Sequence, residues 1–225
     1  MCKKLKLAGQ AILSMGYYKN ESARSGTYTP GHEDAVADVL IENGFNKFKQ
    51  EDFPSLRKRH IKAWYTNGFD NSLDNILIDM PNCSFILQPG GTQSFPDILV
   101  KDGKGKLFAL ECKSGHGTHP MWNDSTPKPG AVYIMSSGRL NQTTMFLGED
   151  VFTAEEANVI EKYNLLFEEL KAQCKIELDS VPNKNRGWLY SHRKQFFQQG
   201  GGDKTNYFTH KDRNECEKRV MKFLS

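Results

Sequence analysis

Two short apolar segments joined by a polar turn constrain the fold of this chain more than any other stretch. The segments are residues 95–100 and 107–113, and the turn between them, residues 101–106, contains an aspartate and two glycines. Runs of β-forming residues on either side of such a turn are typical of a β-hairpin. The second run is unusual because it ends in charged residues, Glu111 and Lys113. The sequence therefore predicts a hairpin that carries charge on an otherwise apolar strand.

The predicted hairpin brings two carboxylates and one ammonium group together. Side chains on a strand alternate between its two faces, so Glu111 and Lys113 share a face while Cys112 points to the other. Asp97 lies at the start of the first strand and can reach the same edge. Charged groups at the rim of an apolar sheet are costly unless they bind something. We therefore expect a binding or catalytic site at this edge.

The residue types at this edge suit a magnesium ion. Asp97 and Glu111 offer the hard oxygen ligands that Mg²⁺ takes, usually one or two carboxylates with several waters. The backbone carbonyl of Cys112 is an expected further ligand because it lies between two site residues. Bound Mg²⁺ polarises a phosphoryl oxygen and lowers the pKa of a water. Lys113 would orient or deprotonate that water, or stabilise charge on phosphorus, so the pattern predicts metal-assisted phosphodiester hydrolysis.

These residues also match a known pattern. Pro96-Asp97 followed by Glu111-x-Lys113 resembles the PD-(D/E)xK signature of type II restriction endonucleases and related DNA enzymes. The resemblance covers the hairpin alone, and it implies an α/β restriction-endonuclease-like core with a mixed β-sheet flanked by α-helices. It also implies that Asp97, Glu111 and Lys113 are catalytic and that Mg²⁺ is the cofactor. Many members carry an acidic residue on the helix before the hairpin, which makes Glu33 an additional candidate.

Length and charge limit the domain organisation. At 225 residues the chain suits one sizeable α/β domain, and we expect a single nuclease domain over residues 1–225. Residues 182–225 contain ten Lys and Arg against four Asp and Glu, although the net charge of the whole chain is only +3. A basic C-terminal extension fits contact with phosphates. A solvated basic face explains any single one of those residues equally well.

Composition also bears on cellular location and partners. The hydrophobic fraction of 38% and charged fraction of 25% are those of an ordinary soluble protein. No apolar run approaches the length of a membrane span, and residues 5–15 are too polar for a signal-peptide core. Five scattered cysteines, none in a CxxC pair, indicate free thiols in a reducing cytoplasm. We expect a cytoplasmic protein with no membrane association and, without a Gly-rich phosphate-binding motif, no nucleotide cofactor.

Apolar spacing predicts the elements that precede the hairpin and follow it. Helices are expected over residues 5–15 and 31–42, the second ended by Gly44. In the second helix Glu33 lies in the first turn, where a carboxylate also favours the helix dipole without any catalytic role. Residues 131–135 form a continuous apolar run that predicts a central strand.

The C-terminal third of the chain is predicted to be mainly helical. Thr153 and Glu156 form a capping box that opens a helix to about residue 173. Residues 175–178 are expected to add a strand, and residues 214–224 a last helix. The core stripe predicted for the long helix consists of Val159, Tyr163, Leu166, Phe167 and Leu170. The side chains predicted to be buried in the last helix are Val220, Met221 and Leu224.

Polar loops beside the predicted strands supply the candidate DNA contacts. Residues 88–94 form a Gly-containing turn before the hairpin, residues 114–130 leave its second strand, and residues 136–144 follow the central strand. Long loops on a rigid scaffold commonly carry recognition groups, although an ordinary polar loop is the alternative for each. The side chains suited to base edges or phosphates are Gln93, His116, His119, Asn123, Lys128, Arg139, Asn141 and Gln142.

The resemblance and the residues together predict a Mg²⁺-dependent, sequence-specific double-stranded DNA endonuclease of the type II restriction class. Such enzymes commonly read near-palindromes, so a homodimer is expected. A structure-specific repair or junction nuclease is the nearest alternative, although junction nucleases of this fold are usually smaller and more uniformly basic. A catalytically silent DNA-binding protein of the same fold is the second alternative. The intact Asp97, Glu111 and Lys113 argue against it.

Overall fold

A computed structural model describes residues 4–17, 31–92, 94–123, 126–182, 190, 195–196 and 205–225, with the side chains of residues 123, 195 and 196 excepted. The longer helices are α1 (Lys4–Leu13), α2 (His32–Glu42), α3 (Lys58–Thr66), α4 (Ala154–Ser180) and α5 (Arg213–Phe223). The strands are β1 (Asn46–Phe48), β2 (Ser84–Leu87), β3 (Ile98–Lys101), β4 (Leu107–Gly115), β5 (Trp122–Asn123), β6 (Val132–Ser137), β7 (Gln142–Leu147) and β8 (Gln195–Phe196). Short 3-10 helices lie at Gln50–Asp52, Asn71–Leu73 and Gly148–Asp150.

Six of the strands form one mixed sheet in the order β1-β2-β3-β4-β6-β7. β1 pairs with β2 and β4 pairs with β6 in parallel, whereas the other neighbours are antiparallel. β5 and β8 form a separate two-stranded sheet. The parallel β4–β6 pair matters for the site, because the carboxyl ends of both strands reach the same edge of the sheet.

The predicted hairpin is confirmed as β3 and β4. Ile98 lies opposite Leu110 in the antiparallel ladder. In the connecting turn, Asp102 Oδ1 accepts hydrogen bonds from the backbone N–H groups of Lys104 and Lys106, each at 2.8 Å. An aspartate that bonds its own following backbone in this way stabilises a tight turn locally. The turn is therefore specified by nearby residues, which is why it could be predicted.

Helices cover both faces of the sheet, and each face has its own apolar core. One core lies under α1, α2 and α5 and includes Ile12, Leu40 and Val220. The other lies against α3 and includes Ile61 and Trp64. The central strands are buried on both faces, which explains why their sequences are continuous apolar runs rather than alternating ones. The protein is thus an α/β fold with a six-stranded mixed sheet flanked by helices.

The helices predicted on either side of the hairpin are confirmed with small shifts at their ends. α2 ends before Gly44, whose φ of +82° suits a residue without a side chain. In α5 and just after it, Val220 and Leu224 are buried, while Met221 is only partly buried. Because α5 contributes to the first core, the end of the basic range 182–225 belongs to the main fold.

The long helix α4 corrects two predictions. The strand expected at residues 175–178 is absent, because α4 continues to Ser180. The predicted core stripe is not buried, since no residue of α4 is buried among the described residues. Periodicity identified the apolar face of this helix but could not show whether another element covers it. None of the described helices combines the length and apolar composition that a bilayer-crossing segment needs.

Residues 136–144 were predicted to be a loop, and most of them are strand. β6 extends to Ser137 and β7 begins at Gln142, with a turn between them in which Asn141 has a φ of +49°. Thr143 and Thr144 are buried in β7. Threonine is polar but β-branched, so it fits a strand despite its hydroxyl group. Because this stretch is polar, its sequence did not predict the β6–β7 hairpin.

Candidate active site

Asp97 and Glu111 face each other across the open end of the β3–β4 hairpin. Ile98 pairs with Leu110, so the next pair beyond the ladder is Asp97 opposite Glu111. The backbone N–H of Asp97 donates to Glu111 Oε2 at 3.2 Å. Asp97 Oδ2 accepts from the backbone N–H of Cys112 at 2.7 Å. These two bonds hold both carboxylates at the end of the ladder.

Lys113 lies between a carboxylate and an aromatic ring. Its Nζ donates to Glu111 Oε1 at 2.8 Å, and the two side chains are 22% and 12% exposed. The same Nζ lies 5.8 Å from the centroid of the Trp122 ring, a distance at which the ring attracts a cation. Partial exclusion of water strengthens both contacts relative to a surface pair. The ammonium group is thus held in one place beside the carboxylates.

The carboxylate of Asp97 is not fully compensated by its surroundings. Burial raises the pKa of Asp97 to about 7, and the negative charge of Glu111 adds to the rise. The N–H of Cys112 opposes the shift, the charge of Glu33 increases it further, and Lys113 lowers it. A cation beside Asp97 would favour the ionised carboxylate and reverse the direction of this shift.

The donor set fits a magnesium ion that keeps several waters. Among the described residues no three His, Cys, Asp or Glu side chains are grouped so that they could hold a metal ion, but Mg²⁺ needs only one or two carboxylates. Asp97 Oδ1 accepts no hydrogen bond from any described residue, which leaves it open to a ligand. The Gly115 carbonyl bonds Gly138 on the β6 side. Since carbonyl directions alternate along a strand, the carbonyl of Cys112 points to the β3 side, where Asp97 lies.

The side chain of Cys112 lies on the opposite face from the carboxylates, as predicted. It packs against the core under α2. Burial raises the pKa of its thiol well above the usual value, and the charges of Asp97, Glu33 and Glu111 raise it further. A thiol with a raised pKa is a poor nucleophile. The expected role of Cys112 therefore involves its backbone and not its sulfur.

Glu33 lies near this cluster without bonding to it. Its charge raises the pKa values of Asp97 and Cys112, which places it within electrostatic reach of the site. Among the described residues it makes no hydrogen bond with Asp97 or Glu111. Its carboxylate lies against Gly31 at the start of α2, where the dipole of the helix favours a negative charge. Both interpretations of Glu33 remain compatible with this position.

Two aromatic residues that were not predicted to belong to the site pack beside Glu111 and Lys113. Trp122 was included in a polar loop, but it begins β5 and is 4% exposed. Tyr133 pairs with Glu111 across the β4–β6 ladder, and its ring centroid lies 5.1 Å from that of Trp122. The hydroxyl of Tyr133 accepts from the backbone N–H of Lys128 at 2.8 Å. A lone tryptophan in a polar loop was the available signal for this packing.

His116 and Arg139 are brought together just beyond the carboxyl ends of β4 and β6. His116 follows the end of β4, and Arg139 lies in the turn after β6. The backbone N–H of Arg139 donates to the carbonyl of His116 at 3.0 Å. Both residues are exposed. His116 lies five residues beyond Glu111 along the chain, so the pair lies past the carboxylates at this end of the sheet.

Asn141 and Gln142 are engaged within the protein. Asn141 Oδ1 accepts from the backbone N–H of Tyr17 at 2.7 Å. Gln142 Oε1 accepts from Arg213 Nη1 at 3.2 Å. These bonds connect the β6–β7 hairpin to the segment after α1 and to α5. Their availability for DNA bases is correspondingly reduced.

The other four residues predicted to contact DNA are Lys128, His119, Gln93 and Asn123. Lys128 is half-buried, and its Nζ lies 5.8 Å from the centroid of the Tyr65 ring. His119 is exposed in the segment between β4 and β5. Gln93 lies outside the described residues, and of Asn123 only the backbone, in β5, is described.

Three comparisons with known proteins give no match for this chain. No protein-family model matches the sequence. No curated protein and no solved structure matches it either. The resemblance to PD-(D/E)xK nucleases therefore rests on the hairpin residues of the sequence alone.

Proposed function

We propose that this protein is a Mg²⁺-dependent endonuclease that hydrolyses phosphodiester bonds in specific sequences of double-stranded DNA. One observation carries the proposal: Asp97 and Glu111 oppose each other at the end of a hairpin, with Lys113 bonded to Glu111. A purely structural ion pair would not need a second carboxylate whose pKa is raised to about 7. An arrangement in which buried carboxylates repel each other is typical of sites that bind cations or catalyse reactions.

Each group of the site has a distinct role in this proposal. Asp97, Glu111 and the carbonyl of Cys112 would hold the Mg²⁺. When bound, the ion supplies polarisation of a phosphoryl oxygen and a lowered pKa for the attacking water. Lys113 orients that water by a hydrogen bond and offsets the negative charge that develops on the phosphate. Glu33 is an accessory acidic group whose charge raises the pKa of Asp97 in the metal-free site.

The proposal extends to fold and partners. We assign the mixed sheet to a restriction-endonuclease-like core. The assignment is supported by the charged β3–β4 hairpin, whose second strand, β4, pairs in parallel with β6. His116 and Arg139 would contact DNA beside the scissile phosphate. Cleavage of both strands by one type of site is most simply achieved by two copies, so the active form would be a homodimer.

The substrate class can be tested with the unaltered protein, Mg²⁺ and three kinds of DNA. A long duplex of known sequence should yield discrete fragments whose ends share a short common sequence. Cleavage restricted to four-way junctions or damaged duplexes would instead identify a structure-specific nuclease. Tight binding to DNA without any Mg²⁺-dependent hydrolysis would contradict the enzymatic proposal and favour a silent DNA-binding protein.

Cleavage should depend on pH through Asp97. Because its pKa is about 7 in the metal-free fold, a proton competes with Mg²⁺ at this carboxylate at lower pH. At subsaturating Mg²⁺ we expect the cleavage rate to rise with pH, with a midpoint at about pH 7, and to level off above it. A tenfold increase in Mg²⁺ should move the midpoint down by up to about one pH unit. A midpoint that does not respond to Mg²⁺ would contradict metal binding at Asp97.

The proposed DNA contacts can be separated from structural residues by alanine substitution. Arg139→Ala and His116→Ala should each lower cleavage by about tenfold or more, because each loses a contact to DNA. Their melting temperatures should not change, since both side chains are exposed. Asn141→Ala should instead lower stability by about 1 kcal/mol, because it loses the bond to Tyr17 and disfavours the positive φ. Steady-state cleavage and thermal unfolding of the three variants test this difference.

A further inference from the structure

α4 carries an apolar face that no described residue buries. The helix spans 27 residues, and none of them is buried. At 1.5 Å per residue it is about 40 Å long. Four large apolar side chains are between 44% and 61% exposed: Val159, Tyr163, Leu166 and Leu170. With about 100° between successive residues, these positions fall on one face of the helix.

An exposed apolar face of this size is typical of an interaction surface. The four side chains expose roughly 400 Å² of apolar surface, and patches of that size are often functional. Most of the stability of a helix in a protein comes from packing of its apolar face, and the described residues leave this face largely exposed. A second helix that covers the face would therefore stabilise α4 and remove the patch from water.

We propose that α4 pairs with α4 of a second copy of this chain in an antiparallel, two-fold symmetric arrangement. Val159, Tyr163, Leu166 and Leu170 follow each other at intervals of four, three and four residues, which is the spacing of a two-helix coiled-coil seam. In an antiparallel pair Val159 meets the partner's Leu170, and Tyr163 meets the partner's Leu166. Two-fold symmetry repeats both contacts, so the seam is self-complementary.

The charges that flank the seam favour the antiparallel direction. Lys162 and Glu169 are exposed and form no ion pair with another described residue, whereas Lys171 pairs with Glu168 within the helix. In the antiparallel pair Lys162 faces the partner's Glu169, and symmetry gives this contact twice. In a parallel pair Lys162 would instead face the partner's Phe167, and the charges would stay uncompensated.

This pairing rests on α4 alone and does not depend on nuclease activity. It provides a specific interface for the homodimer that the proposed function requires. The two proposals can fail separately. A monomer that cleaves DNA would refute the pairing, whereas an α4-dependent dimer without hydrolytic activity would refute the nuclease.

Sedimentation equilibrium of the full chain tests the interface. The wild-type protein at micromolar concentration should have twice the 25.6 kDa mass of one chain. Leu170→Glu should weaken dimerisation by about 100-fold or more, because it places a charge against the partner's Val159. Leu165→Glu is the matched control: Leu165 is 57% exposed against 61% for Leu170, lies on the opposite side of α4, and should leave the dimer unchanged within about threefold.

Each variant should have the circular dichroism spectrum of the wild type in the same oligomeric state. Leu165→Glu should match the dimeric wild type, and Leu170→Glu should match the wild type diluted until it is monomeric. A monomeric wild-type protein at these concentrations would overturn the proposal. Equal weakening by Leu170→Glu and Leu165→Glu would also overturn it, because the apolar face would then have no special role.

Charge reversal tests the direction of the pair. Lys162→Glu and Glu169→Lys should each weaken dimerisation by about 5- to 20-fold, because each creates two contacts between like charges. The double variant Lys162→Glu/Glu169→Lys should restore the dimer dissociation constant of the wild type to within about threefold, because residues of opposite charge again face each other. A double variant weaker than either single variant would contradict the antiparallel arrangement.

Discussion

Replacement of Asp97 by asparagine should abolish DNA cleavage and at the same time stabilise the metal-free protein. Cleavage is expected to fall by about 10³-fold or more, because a carboxylate that would hold the Mg²⁺ is lost. Stability should rise because the pKa of Asp97 is held near 7 by burial and by Glu111. An ionised carboxylate at this position therefore opposes folding. An asparagine can still accept the bond from Cys112 but carries no charge.

The gain in stability should itself depend on pH. The folded protein holds the proton of Asp97 more tightly than the unfolded chain does. The stabilisation from this group is therefore complete below about pH 4 and is lost as pH rises through about 7. In urea unfolding at about pH 8 without metal, Asp97→Asn should raise the free energy of unfolding by about 1–3 kcal/mol. At about pH 5 the difference from the wild type should be much smaller.

Glu51→Gln is a suitable control for this experiment because Glu51 is exposed, lies outside the site and loses one negative charge in the same way. It should change neither cleavage nor stability measurably. A lower stability of Asp97→Asn at about pH 8 would indicate that Asp97 serves to hold the hairpin together, and the site would then have a structural role.

Lys113→Met should lower the rate of cleavage by about 10²- to 10⁴-fold while leaving the fold intact. Methionine keeps the length of the side chain and packs well against aromatic rings such as Trp122. The ammonium group also lowers the pKa of Asp97, so its removal should move the pH midpoint of the residual activity upward. The affinity of the variant for DNA should change little. The shifted midpoint together with unchanged DNA affinity distinguishes a direct role of Lys113 in cleavage from a role in DNA binding.

Lys106→Met provides the matched control on the same hairpin. Lys106 Nζ also lies over aromatic rings, 4.8 Å from the centroids of Phe108 and Phe223, but it is remote from the carboxylates. Single-turnover cleavage by this variant should equal that of the wild type. Similar losses in Lys106→Met and Lys113→Met would show that lysine–aromatic packing, and not the position of the ammonium group, limits the activity.

The part of the site that could be predicted from the sequence is the part set by local rules. The turn at Asp102 and the period of two along a strand placed Glu111 and Lys113 on one face and Cys112 on the other. The hairpin register then brought Asp97 opposite Glu111. None of these steps needed knowledge of distant residues.

The features that were not predicted depend on contacts between distant parts of the chain. Trp122 supports Lys113 because the parallel β6 places Tyr133 beneath it. Asn141 holds Tyr17, which is 124 residues away in sequence. The apolar stripe of α4 was recognised as a stripe, but burial requires a partner surface that no local pattern encodes. Only such contacts determine whether a polar stretch forms a loop or a strand, and whether the apolar face of a helix is buried.

Asp97, Glu111 and Lys113 are proposed to form a Mg²⁺-dependent hydrolytic site. The decisive experiment is cleavage of one long duplex DNA in Mg²⁺ and in EDTA by the wild type, Asp97→Asn, Lys113→Met and Glu51→Gln. We predict discrete fragments from the wild type and Glu51→Gln in Mg²⁺ only, and no fragments from the two site variants in the same reaction time. Fragments that persist in Asp97→Asn, or that form in EDTA, would contradict the account.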